Sequence, residues 1–132
     1  MAQSILCGLE RRRIVDEPFP YLFVADALEP AYYAELADAF PSLERIAGGG
    51  PLPSNQVFRI PACEVLADPA LPAIWRDFFA YHCSGAFFRE LVAFWRDAIY
   101  REYPSIEAWF GRPLSQLTTG VRAYQKLSLI HI

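Results

Sequence analysis

The sequence is poor in the residues from which metal, redox and nucleotide sites are built. Only two histidines occur, His82 and His131, and they stand far apart. The three cysteines, Cys7, Cys63 and Cys83, are widely spaced, odd in number and without a C-x-x-C pair. A zinc centre needs clustered ligands, so this spacing argues against one. Free, partly buried thiols in a reducing compartment fit better, which predicts a cytoplasmic location. Positive charge is also scarce: the net charge is -3 and the pI is near 5.3. Beyond Arg11-Arg12-Arg13 there is no basic stripe, so nucleic acid is not an expected partner, and the triplet reads as a solvated arm. No apolar run approaches a membrane span, so no membrane association is expected. Residues 1–10 carry only a short apolar patch, with no charged leader or cleavage site, and no secretion signal is expected there.

What is present is apolar and aromatic. Of 132 residues, 54% are hydrophobic and 15% aromatic, ample for the core of one ordinary domain and too apolar for disorder. Pro18 and Pro20 forbid helix around residues 16–20. Residues 21–24, Tyr-Leu-Phe-Val, then read as a strand buried on both faces. Pro30 suits the first turn of a helix over residues 30–40, with Tyr33, Leu36 and Phe40 on its apolar face and Pro41 stopping it. Gly48-Gly49-Gly50 opens a flexible surface loop. It is not a phosphate-binding loop, because no Gly-Lys-Ser/Thr follows. Residues 56–60 read as a second strand. Asp68 is placed to cap a helix over residues 71–82 that buries Ile74, Trp75, Phe78 and Phe79. Ser84 caps a longer helix over residues 84–102, whose stripe is Phe88, Leu91, Val92, Trp95, Ala98 and Ile99. A further helical turn or two is predicted within residues 105–110, then a turn at 111–113 and a strand starting within 118–124.

These elements offer little chemistry. A two-histidine, one-carboxylate iron site needs His-x-Asp or His-x-Glu and a second, distant histidine. His82-Cys83-Ser84 has no carboxylate in place, and His82 reads as the end of a helix, where positive charge suits the dipole. No Gly-x-Ser-x-Gly accompanies Ser84. Glu35 and Asp38 lie on a solvated face, without the desolvation that raises a carboxyl pKa for acid catalysis. Phe87, Phe88, Phe94 and Trp95 read as core rather than a platform for bases. No catalytic, cofactor-binding or metal-ligating residue is assigned.

The last six residues, Leu127-Ser128-Leu129-Ile130-His131-Ile132, can be read in codons as CTG TCT CTT ATA CAC ATC, the transposon-end adaptor of short-read library preparation. The sequence is therefore divided into residues 1–126, the N-terminal part of a single domain, and residues 127–132, adaptor read-through. The alternative is a genuine terminal strand, since the run has high β propensity.

Three stretches together resemble the prolyl-4-hydroxylase-like branch of the iron(II)/2-oxoglutarate oxygenases. They are residues 18–28, Pro-Phe-Pro-Tyr-Leu-Phe-Val-Ala-Asp-Ala-Leu, with the helix that follows to Pro41; residues 55–62; and residues 84–91, Ser-Gly-Ala-Phe-Phe-Arg-Glu-Leu. Gly120-Val121-Arg122 is similar to the start of the first barrel strand. No single stretch is diagnostic; their order and spacing carry the likeness over most of residues 18–126. The resemblance implies an α+β chain: a mainly helical N-terminal layer with a few short strands, the start of a double-stranded β-helix (jelly-roll) fold. It implies a parent enzyme that binds Fe(II) and 2-oxoglutarate and hydroxylates a C–H bond of a peptide or small molecule. The iron and co-substrate ligands would lie beyond this chain, so the fragment itself is expected to be inactive and, with its helix faces uncovered, prone to aggregate. Two other readings remain: a small non-catalytic helical interaction module, and an enzyme of another kind, such as a transferase, lacking its site.

Overall fold

The computed structural model describes residues 4–55 and 57–116. Six helices follow one another: α1 (Pro30–Asp38), α2 (Leu43–Ile46), α3 (Ala62–Ala67), α4 (Ala73–His82), α5 (Gly85–Glu102) and α6 (Ile106–Phe110), with single 3-10 turns at Arg11–Arg13 and Leu114–Gln116.

Local chemistry explains where these helices start and stop. Pro30 occupies the first turn of α1, and the Glu29 carboxylate accepts the Tyr32 N–H at 3.0 Å. Ser42 and Ser84 do the same for α2 and α5, accepting from Arg45 N–H and Phe87 N–H, each at 3.2 Å. Pro104 lies just beyond the end of α5. Gly111 ends α6 with φ +64°, a left-handed conformation that glycine adopts without a side-chain penalty.

The core lies where α1 crosses α4. Leu36, Trp75 and Phe78 form its buried centre, with Ile5, Leu28, Tyr32, Ala39, Ile74 and Phe79 packed around them. The Trp75 indole N–H donates to the Leu36 carbonyl at 3.1 Å, and its ring meets Phe40 and Phe78 edge to face. That carbonyl lies near the C-terminal end of α1, where helix carbonyls run out of partners.

The expected strands do not form. Val15 and Tyr21 exchange two backbone hydrogen bonds in an isolated antiparallel bridge, of 2.9 and 2.8 Å. No ladder extends it among the described residues, so the α+β start of a jelly roll gives way to a helical layer. Residues 22–24 and 57–60 carry no strand assignment. Along both, exposure alternates: Tyr21, Phe23, Val57 and Arg59 are exposed, while Leu22, Val24, Phe58 and Ile60 are half-buried. The residue 21–24 run is therefore not buried on both faces. The strand-like pattern is present in the side chains, but a strand also needs neighbouring backbone to pair with. The expected strand within 118–124 and the adaptor-like residues 127–132 lie outside the described residues.

Helix faces needed smaller corrections. On α1 the inward line is the buried Leu36 with the half-buried Tyr32 and Ala39, while Tyr33 and Phe40 are exposed. Both sets have helical spacing; the first joins the Leu36, Trp75 and Phe78 cluster, while Phe40 meets only the Trp75 ring, edge to face, and stays exposed. On α5 the buried residues are Phe87, Phe94 and Ala98; the remaining expected stripe residues, Phe88, Leu91, Val92, Trp95 and Ile99, are half-buried. Asp68 does not cap α4, which begins after Pro72 without a side-chain cap. It follows the end of α3, and its carboxylate accepts the Ala70 N–H at 2.9 Å. Arg76 reaches back from α4 to donate to the carbonyls of Asp68, Pro69 and Leu71, which fixes the α3–α4 turn.

Candidate binding cleft

The residues singled out in the sequence do not converge. Glu35 and Asp38 are exposed, and Ser84 caps α5. Gly48 and Gly49 take positive φ, 66° and 74°, in a turn hydrogen-bonded back to Arg45 and Glu44. Cys7 and Cys63 are exposed and Cys83 half-buried, none of them in a disulfide, so only Cys83 has the partial burial expected. Among the described residues, no three His, Cys, Asp or Glu side chains gather as metal ligands.

His82 is the main departure. It does end α4, but it is buried, with 4% of its surface exposed. Its ring lies against Phe78 and Phe87, with centroids 4.0 and 4.6 Å away. Nδ1 lies 2.8 Å from the Phe78 carbonyl, and Nε2 accepts the Ile5 N–H at 3.3 Å. That pattern fits the neutral tautomer with the proton on Nδ1. Burial pushes its pKa below the ordinary value, outweighing the Phe78 hydrogen bond and the Glu90 charge, which push upward. The expected cation at the helix end is therefore a neutral ring that fastens the N-terminal segment. Glu90 completes this fastening. Its carboxylate accepts from Ser4 Oγ at 2.5 Å and from the Tyr81 hydroxyl, which raises the Tyr81 pKa.

A concave site among the described residues lies elsewhere, on the far side of α5, in a cleft of about 480 Å³. Phe88, Arg89, Val92, Ala93, Arg96 and Tyr100 all face it. They recur about every turn of α5, so one helix face supplies a whole wall. The opposing side comes from Glu107 and residues 113–115, and Arg11 also lines the cleft. Glu107 holds the two sides together. It accepts from the Tyr100 hydroxyl at 2.5 Å and from the Leu114 N–H at 2.9 Å. These bonds, chiefly the first, hold its pKa below the ordinary value, with the Arg96 charge adding to them, and they raise that of Tyr100. Leu114 is buried by this contact. The Arg96 guanidinium sits 5.8 Å from the Tyr100 ring centroid, within cation–π range.

The cleft was not legible in the sequence. Arg89 and Arg96 read as the solvated side of an amphipathic helix, and Arg11 as part of a loose arm. Their spacing on α5 was visible; the folding of residues 107–115 against that face was not. No protein-family model matches the chain, and comparison with curated proteins and with solved structures finds no match either.

Proposed function

We propose that this chain is the N-terminal helical portion of an iron(II)- and 2-oxoglutarate-dependent hydroxylase, acting as support for a catalytic part that it does not itself contain. The ordered likeness of residues 18–41, 55–62 and 84–91 supports the reading. The observation that carries it is that each of the two extended segments turns an apolar side chain outward: Phe23 and Val57 are each 81% exposed. Large exposed apolar side chains such as these have the form of surfaces shaped to be covered.

The described residues do not fit an Fe(II) centre, since no ligand cluster gathers and both nitrogens of His82 are already engaged. No step of catalysis is therefore assigned to this chain. Its role in the reading is positional, holding helices α4 and α5 as a rigid layer. Fe(II) and 2-oxoglutarate belong to the intact parent, and a peptide or small molecule would be its substrate.

The test is the coding sequence past Lys126 in the source DNA. An in-frame continuation encoding His-x-Asp or His-x-Glu and a second histidine is expected. The extended protein should then form succinate from 2-oxoglutarate when Fe(II) is supplied. A continuation without such ligands, or an extended protein with no such turnover, would overturn the proposal. A stop codon close after real coding sequence would favour a non-catalytic interaction module instead.

A further inference from the structure

The cleft along α5 combines two properties that a merely solvated helix face lacks. It is concave and of a size that suits a small molecule, about 480 Å³. It also carries an excess of positive charge: three guanidinium groups, Arg11, Arg89 and Arg96, meet a single carboxylate, Glu107. Glu107 is committed to the Tyr100 hydroxyl and the Leu114 N–H, and Arg96 lies over Tyr100. Arg11 and Arg89 have no carboxylate within ion-pairing distance among the described residues, whereas Arg12, Arg45 and Arg101 each have one. Residues 117–132 contain Arg122 and Lys126 but no Asp or Glu. Between the cations the surface is apolar, with Val92, Ala93 and Leu114 lining it.

We propose that this cleft binds a small organic oxyanion, a carboxylate or phosphate carried on an aromatic or short aliphatic body. Arg89 and Arg11 hold the charged group, and guanidinium groups suit it because they donate paired N–H bonds to oxyanions. Val92, Ala93 and Leu114 receive the body. The inference does not depend on the hydroxylase reading, since it uses only side chains present in this chain.

The experiment is a calorimetric titration of the full 132-residue chain with phenyl phosphate, benzoate, inorganic phosphate and phenol. Saturable binding of phenyl phosphate or benzoate is expected, at least tenfold tighter than inorganic phosphate or phenol. Whichever aromatic anion binds better identifies the oxyanion. Arg89→Gln should weaken that binding tenfold or more. Ala93→Asp, at an exposed position where folding is not at stake, should do the same by placing a carboxylate on the floor. Arg45→Gln, whose partner is Asp68 outside the cleft, should leave affinity unchanged. Absence of saturable binding, equal affinity for inorganic phosphate, or indifference to both Arg89→Gln and Ala93→Asp would overturn the proposal.

Discussion

The α1–α4–α5 layer and the extended segments around residues 21–24 and 57–60 are built from similar residues and behave differently. In the layer, apolar side chains close on one another: Leu36, Trp75, Phe78, Phe87 and Phe94 are all buried. In the extended segments, Phe23 and Val57 stand almost fully in solvent. Helix hydrogen bonds are internal to the segment, so a helix with an apolar stripe needs only another stripe to cover it. An extended segment must also find backbone partners, and beyond the Val15–Tyr21 bridge none is supplied among the described residues. Hydrophobicity alone therefore does not decide what folds inward; an apolar face must also find a surface to cover it, and an extended segment needs backbone partners as well.

That contrast can be broken most severely at Trp75. Trp75→Ala would remove the ring shared by α1 and α4 and its bond to the Leu36 carbonyl. A loss of about 3–5 kcal/mol is expected in urea denaturation, enough to abolish a cooperative transition in a small domain. The next effect is set by pH. His82 is neutral in the fold, and its pKa lies below the ordinary value near 6.5. Below that ordinary value the unfolded chain binds a proton that the folded chain refuses, so stability should fall as pH drops from 6.5 toward the lowered folded-state pKa. Melting temperature measured from pH 7.5 to 5 should show this decline, and His82→Phe should flatten it.

Smaller changes sharpen the comparison. Ser84→Ala leaves the Phe87 N–H without its cap and should cost about 1 kcal/mol in the same denaturation. Tyr32→Phe should act in the opposite direction. The Tyr32 hydroxyl is buried with no hydrogen-bond partner among the described residues, so deleting it should be neutral or stabilising by up to about 1 kcal/mol. Phe23→Ser should change stability by less than about 0.5 kcal/mol, because the ring is already in water. It should nevertheless raise the monomer fraction in size-exclusion chromatography; an unchanged fraction would show that this segment does not drive association.

The helices were legible because their signals are local. Pro30, Ser84, Pro104 and Gly111 mark boundaries in the sequence that the structure keeps, and Ile74, Trp75, Phe78 and Phe79 face inward as their spacing implies. The short helices α2 and α3 escaped notice because four and six residues are too few to show a periodicity. The strands misled because alternation records which side chains want cover, not whether cover is at hand. His82 misled for a related reason. A helix-end histidine is a cation only while water reaches it, and burial between Phe78 and Phe87 depends on residues that the local sequence does not weigh. The cleft depended on Glu107 bridging Tyr100 and Leu114, a contact between residues with no shared motif.

The placement of the tryptophans gives the chain a built-in optical readout. Trp75 is sealed, with its indole N–H bonded to a carbonyl, whereas Trp109 is 70% exposed beside Tyr103. Iodide, which cannot enter a packed interior, should quench emission from Trp109 and spare that from Trp75. Trp95 is half-buried on α5, so fluorescence from a Trp95→Phe variant would then report the packed layer and the open surface separately, one as a protected blue-shifted component and the other as a quenchable red-shifted one.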